Sequence, residues 1–190
     1  SSKSHWDVPL EINDKTLHLF LSHPTPPAFD GDEDRNGRRN FDEIKFWVHY
    51  IDNDRSLYDD KNQSGGYQNE HPFLIAGDLN ASRHSDSRYD NMPAIYQLFN
   101  HPRITDSGKW LVSRGGWEGR VKGPPDYWER STAKFGNDYR MQIDYLLPSK
   151  DITIKKGGVF WPSERKKPEG NLLAETASDH RLIWLDIILP

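Results

Sequence analysis

The sequence contains no cysteine among its 190 residues. This absence rules out a disulfide framework and a thiolate metal site. Basic residues are also in the minority, because 25 Lys and Arg stand against 29 Asp and Glu. A broad basic surface that coats nucleic acid is therefore not expected, and any recognition of phosphate would have to be local. The chain has no apolar run of membrane-spanning length, and its first residues lack the apolar core of a signal peptide.

Large aromatic side chains compensate for a low hydrophobic content. Only 34% of the residues are hydrophobic, but these include seven Trp, eight Tyr and eight Phe. Such side chains bury large areas, and a chain of this length can form one substantial core. We therefore predict a globular chain with a single domain spanning residues 1–190.

Apolar periodicity predicts several strands and two helices. A helix is expected after a cap at Asn40, with Glu43 in the position of a capping box, and a short helix is expected around Ile95. Residues 22–40, 101–138 and 163–171 are expected to be loops. The predicted strands are Trp6–Ile12, Lys15–Ser22, 73–77, Arg140–Leu147, Ile152–Phe160 and Arg181–Leu189. Strands and helices without strict βαβ alternation favour an α+β layered sheet fold.

Four predicted strand ends carry polar residues that are common in catalytic sites. They are His23, the pair Asp78 and Asn80, Asp144, and the pair Asp179 and His180. Each cluster alone also fits a structural role, since Asp, Asn and Gly form turns and a carboxylate within an apolar strand can bind a loop amide. Together they suit phosphoester hydrolysis, which needs a hard cation, an oriented water and donors to the phosphate oxygens. Asp and Asn oxygens favour Mg²⁺ or Mn²⁺ over zinc.

The order of these motifs resembles the endonuclease/exonuclease/phosphatase superfamily, whose fold is deoxyribonuclease I-like. The motifs are GDLN at 77–80, IDY at 143–145 and SDH at 178–180, after a strand that ends in His23-Pro24. The stretch EDRNGRRNFDEIKFW further resembles a bacterial branch of that superfamily. The resemblance implies a layered β-sandwich flanked by helices and a metal-dependent phosphoesterase, most simply a phosphodiesterase or nuclease.

The resemblance also implies a role for each motif residue. Asp78 would orient or deprotonate the attacking water, and Asn80 would position that water or the phosphate. His180 would contact the phosphate with Asp144 behind it, and His23 would be a second phosphate-contacting imidazole. Asp179, with Asp78 and Asn80, would bind the metal.

Positive charge near His23 would come from a basic cluster, and two residues near the start of the chain are further candidates. Substrate-binding candidates in the cluster are Arg35, Asn36, Arg38 and Arg39, although a solvated loop with a helix cap explains the same residues. Lys3 or His5 would lie near the substrate if the opening segment matches that of relatives.

One part of the superfamily pattern is not found. Members carry an early Asn or Asp and a metal-binding Glu on strands before the one that ends at His23, and Glu11 sits at the wrong place. The chain therefore resembles the C-terminal portion of the domain. We expect the missing half in the same precursor or in a second chain, and little activity without it. The bacterial branch is compatible with secretion, although the chain itself carries no signal for it.

Two other functions stay open at this level. One is a phosphomonoesterase or lipid phosphodiesterase of the same superfamily, and the other is a non-catalytic binding domain or inactive fragment. The 101–138 segment bears on the first choice, because its basic residues suit a phosphate backbone and its aromatics suit base stacking, a membrane interface or the core. These residues are Arg114, Arg120, Lys122, Arg130, Lys134, Trp110, Trp117, Tyr127 and Trp128.

Overall fold

Strands and helices follow one another irregularly along the chain in the computed structural model, which describes residues 3–59, 61–68, 70–85, 88–118, 125–136 and 139–190. The strands are β1 (His5–Ile12), β2 (Lys15–Ser22), β3 (Phe73–Asp78), β4 (Arg88–Tyr89), β5 (Met92–Pro93), β6 (Ala133–Phe135), β7 (Tyr139–Met141), β8 (Asp144–Pro148), β9 (Thr153–Val159) and β10 (Ile183–Ile188). The helices are α1 (Arg35–Ile51), α2 (Tyr96–Phe99), α3 (Arg114–Glu118) and α4 (Pro168–Ala177), with a 3₁₀ helix at Pro125–Arg130. The predicted α+β class is confirmed.

The central sheet is mixed and has the strand order β1-β2-β3-β8. The β1–β2 hairpin turns at Asn13 and Asp14, whose φ angles of 48° and 62° lie in the left-handed region that tight hairpins use. Strand β3 runs parallel to β2, and α1 lies in the connection between them. Strand β8 runs antiparallel to β3 and brings its first residue beside the last residue of β3.

The main core lies between this sheet and α1. Alternation along the strands turns Phe20, Phe73 and Ile75 toward one face, where all three are fully buried. Trp47 of α1 stacks on Phe20 with ring centroids 5.1 Å apart, and Ile44 belongs to the same buried cluster. The apolar face of the helix thus fixes its position on the sheet.

The opposite face of the sheet is only partly covered. Near β8 it packs against the antiparallel β9–β10 pair through Leu146, which contacts a second buried cluster of Leu111, Val159 and Trp161. Further along the same face, toward β1, the side chain of Trp6 is 61% exposed. This open apolar surface lies beside the end of β2.

The start of α1 differs from the prediction. The helix begins at Arg35, so Asn40 lies inside it and the predicted cap at Asn40 with Glu43 is wrong. The N-cap residue, Asp34, makes no side-chain cap. Asp30 caps the first turn in its place, because its carboxylate accepts hydrogen bonds from the backbone N–H of Asn36 (2.6 Å) and Gly37 (3.2 Å). The predicted loop over 22–40 is therefore helical in its last residues.

Three further parts of the prediction were wrong. The 101–138 segment, expected to be a loop, contains α3, the 3₁₀ helix and β6. The single strand expected at Arg140–Leu147 is split into β7 and β8, because Thr132 Oγ1 accepts the backbone N–H of Ile143 and Asp144 in the gap (3.1 and 3.0 Å). Helix α4 begins inside the expected loop at 163–171, where Pro168 occupies the first turn. No helix in the described ranges has the length and apolarity to cross a membrane.

Candidate functional site

Two carboxylates face each other where β3 ends and β8 begins. Asp78 and Asp144 are register partners on these antiparallel strands. Side chains directly opposite each other on such a pair lie close on the same face, and like charges there are destabilising. The strand pairing therefore creates a position that needs a compensating positive charge.

His180 supplies that compensation from the segment before β10. Its Nδ1 lies 3.0 Å from both Oδ1 and Oδ2 of Asp144, and its Nε2 lies 3.8 Å from Oδ2 of Asp78. The ring is also fixed by the edge-to-face contact of Phe135 at 6.1 Å. A partner on Nδ1 fixes the tautomer and leaves Nε2 directed at the Asp78 side of the group.

The pKa values of this pair favour retention of a proton. Burial lowers the pKa of His180, but the charges of Asp144, Asp78 and Asp179 outweigh burial and raise it above its usual value. Burial raises the pKa of Asp144, against hydrogen bonds from Thr132 and His180. Both shifts favour the protonated form of the pair, and the imidazole is the favoured site of the proton because a carboxyl group is ordinarily the stronger acid.

His23 approaches the same carboxylate from the end of β2. Its Nε2 lies 3.4 Å from Oδ2 of Asp78, and its side chain is 65% exposed. This approach depends on Gly77, since a Cβ at that position would lie 2.0 Å from the backbone oxygen of Ser22. A glycine is thus required for β2 and β3 to bring His23 and Asp78 together.

The GDLN segment is both a turn and part of the group. The backbone N–H of Asn80 donates to Oδ1 of Asp78 (2.9 Å), an Asx turn in which Asn80 has a φ of 49°. The side chain of Asn80 donates to the carbonyl oxygen of Pro24 (3.1 Å), which joins the turn to the segment after His23. Oδ1 of Asp78 therefore holds the turn, while Oδ2 faces the two imidazoles.

The predicted metal ligands are only partly brought together. Among the described residues, Asp78, Asp144 and His180 form one group whose donor atoms lie within 4.8 Å of one another. Asp179 is outside it, with an exposed side chain whose Oδ1 lies 3.4 Å from Ser178 Oγ. The metal-binding roles of Asp179 and Asn80 remain predictions.

The donor chemistry of the group fits a divalent cation. Two carboxylates share one imidazole, so the group retains a net negative charge even when His180 is protonated. Both oxygens of Asp144 face Nδ1 of His180, which leaves Oδ2 of Asp78 as the oxygen best placed to bind an ion. Mg²⁺ is commonly held by one or two carboxylates, with water and substrate oxygens as its other ligands.

The predicted basic cluster lies on the first turns of α1. The side chains of Arg35, Arg38 and Arg39 are exposed, and that of Asn36 donates to the carbonyl oxygen of Ala28 (2.8 Å). None of the four lines either of the two clefts that border the site among the described residues. Their role in binding substrate remains a prediction.

Several candidate residues of the 101–138 segment contact other side chains of the same chain, in the part that the structure describes. Lys134 forms an ion pair with Glu175 (2.6 Å), and Arg114 pairs with Glu118 (3.2 Å). Lys109 lies over the ring of Trp110 at 4.0 Å. Arg120, Lys122 and the side chain of Tyr127 lie outside the described residues.

Of the two residues near the start of the chain, only Lys3 borders the site. It lines a cleft of about 560 Å³ together with Trp6, His23 and Asp78. His5 instead faces α1, where its Nε2 lies 2.8 Å from the backbone oxygen of Glu43.

Sequence reasoning missed two residues that position the site. Asn40 is buried, and its Nδ2 donates to the backbone oxygens of Thr25 (2.9 Å) and Leu79 (3.0 Å). Arg181 is also buried, and its guanidinium donates to the backbone oxygens of Ser178 (2.6 Å) and His180 (3.0 Å). The sequence did carry a signal for each residue. Asn40 is an amide beside the apolar face of a helix, and Arg181 is an arginine at the start of an apolar strand.

Comparison with known proteins places this geometry in a family. The sequence profile described as Endonuclease/Exonuclease/phosphatase family matches residues 10–180, whereas no curated protein matches the chain. An endonuclease/exonuclease/phosphatase from Beutenbergia cavernae has a similar structure, with a TM-score of 0.59 and 14% identity over 98% of this chain and 39% of that chain. Beta toxin from Staphylococcus aureus gives a TM-score of 0.50 and 14% identity over 83% of this chain and 47% of that chain. The chain spans less than half the length of either structure. The fold is deoxyribonuclease I-like, and the chain belongs to the endonuclease/exonuclease/phosphatase family.

Proposed function

We propose that the chain carries the central part of a metal-dependent phosphodiesterase site, with nucleic acid as the expected substrate class. The observation that carries the proposal is His180, which is held on one side by Asp144 and approaches Asp78 on the other. A core histidine needs only one partner. An imidazole between two carboxylates that end neighbouring strands is suited to bind an anion and to handle protons.

His180 and His23 would bind the phosphate. With Nδ1 of His180 engaged by Asp144, the imidazolium donates from Nε2 to a phosphate oxygen and stabilises the charge that develops there. The exposed ring of His23 donates to a second oxygen from the other side of Asp78. The two rings thus hold the phosphorus above the Asp78 carboxylate.

Asp78 and Asn80 would act on the attacking water. Asp78 accepts a proton from the water as the water oxygen bonds to phosphorus, and the bond to the leaving oxygen breaks as that oxygen takes a proton from the solvent. The Asx turn fixes the carboxylate, since Oδ1 is held by the backbone N–H of Asn80 at 2.9 Å. The Asn80 side chain, anchored to Pro24, would position the water or the scissile phosphate.

Mg²⁺ or Mn²⁺ is the proposed cofactor, with Asp78, Asp179 and Asn80 as its protein ligands. When bound, the ion withdraws negative charge from the phosphate and favours attack by water. The net negative charge of the carboxylate group supports a cation at this place.

We also propose that a segment outside these 190 residues, in the same precursor or in a second chain, completes the site. The cleft that Lys3 borders opens beside Asp78 and continues over Leu21 and Ala76, on the uncovered face of the sheet. Such an apolar surface next to acidic and imidazole groups suits a second layer that brings a further carboxylate. Titration of this chain with Mn²⁺ should then show weak binding, and micromolar affinity would contradict the missing ligand.

The phosphate-binding role can be tested without turnover. In the absence of metal, His180→Gln should weaken the binding of inorganic phosphate to the chain about 10- to 100-fold, the range for loss of a charged hydrogen bond. His49→Gln is the matched control, because His49 also pairs with a carboxylate, that of Asp54 at 2.6 Å, elsewhere in the chain. Equal effects of the two substitutions on phosphate binding would refute the proposal.

The catalytic role needs a second measurement. In the protein that includes the completing segment, hydrolysis of bis(4-nitrophenyl) phosphate with Mn²⁺ should fall about 100-fold or more in Asp78→Asn, because the substituted amide cannot accept the proton of the attacking water. The same substitution should preserve or strengthen phosphate binding, since it removes a negative charge beside the anion. Hydrolysis that persists unchanged in Asp78→Asn would refute the assignment of Asp78.

A further inference from the structure

A second cleft adjoins His180 on the side away from Lys3. It has a volume of about 490 Å³, within the range of small-molecule sites. Two segments supply most of its lining, the residues after β2 with Phe29 and the β6–β7 hairpin with Phe135 and Tyr139. His180 lies at its border, so a ligand on the phosphate site would extend into this cleft.

Two aromatic residues of the cleft are largely exposed to solvent. Phe29 is 99% exposed and Tyr139 is 60% exposed. Exposed aromatic rings that share one cleft are typical of binding surfaces, because each ring offers apolar area at a low entropic cost. These rings therefore provide surface for a ligand and contribute little to the core.

The conformation of Phe29 supports this conclusion. Its φ of 59° lies in the left-handed region, which is unusual for a bulky side chain. The loop is held on both sides of Phe29, since Ala28 accepts from the side chain of Asn36 (2.8 Å) and Asp30 accepts from the backbone N–H of Asn36 (2.6 Å). The start of α1 thus holds the backbone of Phe29 in a conformation that a bulky residue rarely adopts, and this conformation presents the ring at the cleft.

The residues that line the cleft favour a flat ring over an acyl chain as its ligand. Besides the aromatic rings and two prolines, Asn80, Ser82 and Ser85 contribute polar atoms. A nucleobase can stack on the rings and bond these groups through its edge, whereas an acyl chain would remove them from water without partners. Lys and Arg do not occur among the described lining residues, so a second phosphate is not the favoured occupant.

We propose that this cleft holds a nucleobase, the flat aromatic group of a nucleotide whose phosphate occupies the site formed by His180, His23 and Asp78. The inference rests on the proposed function and deepens it, because it assigns the place where the base next to the bound phosphate would lie. Phe29 and Tyr139 are the stacking residues, and Asn36 positions Phe29 through the backbone of the loop.

Binding measurements with three probes separate the cleft from the phosphate site. Calorimetry or ligand-observed magnetic resonance on the chain would compare thymidine 5′-monophosphate, thymidine and 2-deoxyribose 5-phosphate. We expect the nucleotide to bind about 5- to 100-fold more tightly than the sugar phosphate, from the usual contribution of one stacked base. Thymidine reports on the cleft alone, and the sugar phosphate reports on the proposed phosphate site alone.

Substitutions then test the stacking residues. Phe29→Ala and Tyr139→Ala should each remove most of the nucleotide's advantage and leave the affinity for the sugar phosphate unchanged, whereas Tyr139→Phe should retain the advantage. Tyr58→Ala is the matched control, because Tyr58 is 73% exposed and lies outside the cleft. The substituted side chains are exposed, and a thermal melt of each variant checks that it folds.

Each result has a distinct meaning. Equal affinities for nucleotide and sugar phosphate, or no effect of either alanine substitution, would overturn the inference. So would tighter binding of dihexanoyl phosphatidylcholine that the alanine substitutions weaken, since the occupant would then be a lipid. If thymidine binds and responds to the substitutions while the sugar phosphate does not bind, the base cleft is supported and the proposed phosphate site fails.

Discussion

Replacement of Asn40 by alanine should reveal how the core of the protein supports the candidate site. The Nδ2 group of Asn40 donates to the backbone oxygens of Thr25 (2.9 Å) and Leu79 (3.0 Å), with Asn80 O at 3.3 Å. Alanine removes both N–H donors of the amide from a site where Asn40 is 2% exposed. Two such losses amount to about 2–4 kcal/mol in the free energy of unfolding.

Thermal unfolding followed by circular dichroism would measure this effect. For a chain of this length, each kcal/mol shifts Tm by about 2–4 °C, so Asn40→Ala should lower Tm by about 4–16 °C. The same variant should bind inorganic phosphate less tightly, because the turn that carries Asp78 and Asn80 loses its anchor to α1.

A second buried asparagine provides the control for this experiment. Asn171 lies in α4, is 8% exposed, and donates from Nδ2 to the backbone oxygen of Pro162 at 2.8 Å. Asn171→Ala should cost about half as much stability, since one bond is lost, and should leave phosphate binding unchanged. A Tm for Asn40→Ala within about 2 °C of the parent chain would refute the reasoning, as would an equal loss of phosphate binding in both variants.

Two further substitutions test the strand contact and an ion pair. Gly77→Ala should destabilise the chain by about 1–3 kcal/mol in chemical unfolding, because its Cβ would lie 2.0 Å from Ser22 O, whereas Gly170→Ala, where the nearest atom is 3.5 Å away, should be neutral or stabilising. Burial raises the pKa of Glu175, but the hydrogen bond and charge of Lys134, together with Trp161 and Arg140, outweigh burial and the net pKa is lowered. The folded chain thus gains stability from ionised Glu175 above the unfolded pKa, about 4.3, and loses it as pH falls through the lower folded value. In urea unfolding, Glu175→Gln should therefore be less stable than the parent chain at pH 7. Below about pH 4 the two free energies of unfolding should become similar. A difference that does not depend on pH would contradict the ion pair.

Much of the fold was readable from local patterns. The β1–β2 hairpin, with Asn13 and Asp14 at its turn, and the strand that delivers Asp78 were predicted within a residue or two, because alternation along a strand is a local property. The start of α1 was not, since its cap comes from Asp30, several residues outside the window in which capping patterns are sought. Helix α4 was missed because Pro168 and Gly170 read as loop residues, although proline is well suited to a first turn.

The sequence by itself determined which residues could carry chemistry, because GDLN, IDY, SDH and the histidine before Pro24 occur in a family order that covers most of the chain. Only the tertiary structure decided which atoms meet. The antiparallel register places Asp78 opposite Asp144, and the buried Arg181 holds the backbone that turns His180 toward both. Register and burial depend on contacts between residues far apart in the chain. The GDLN segment alone therefore indicated a turn, whereas the folded protein places its Asp78 beside Asp144 and His180.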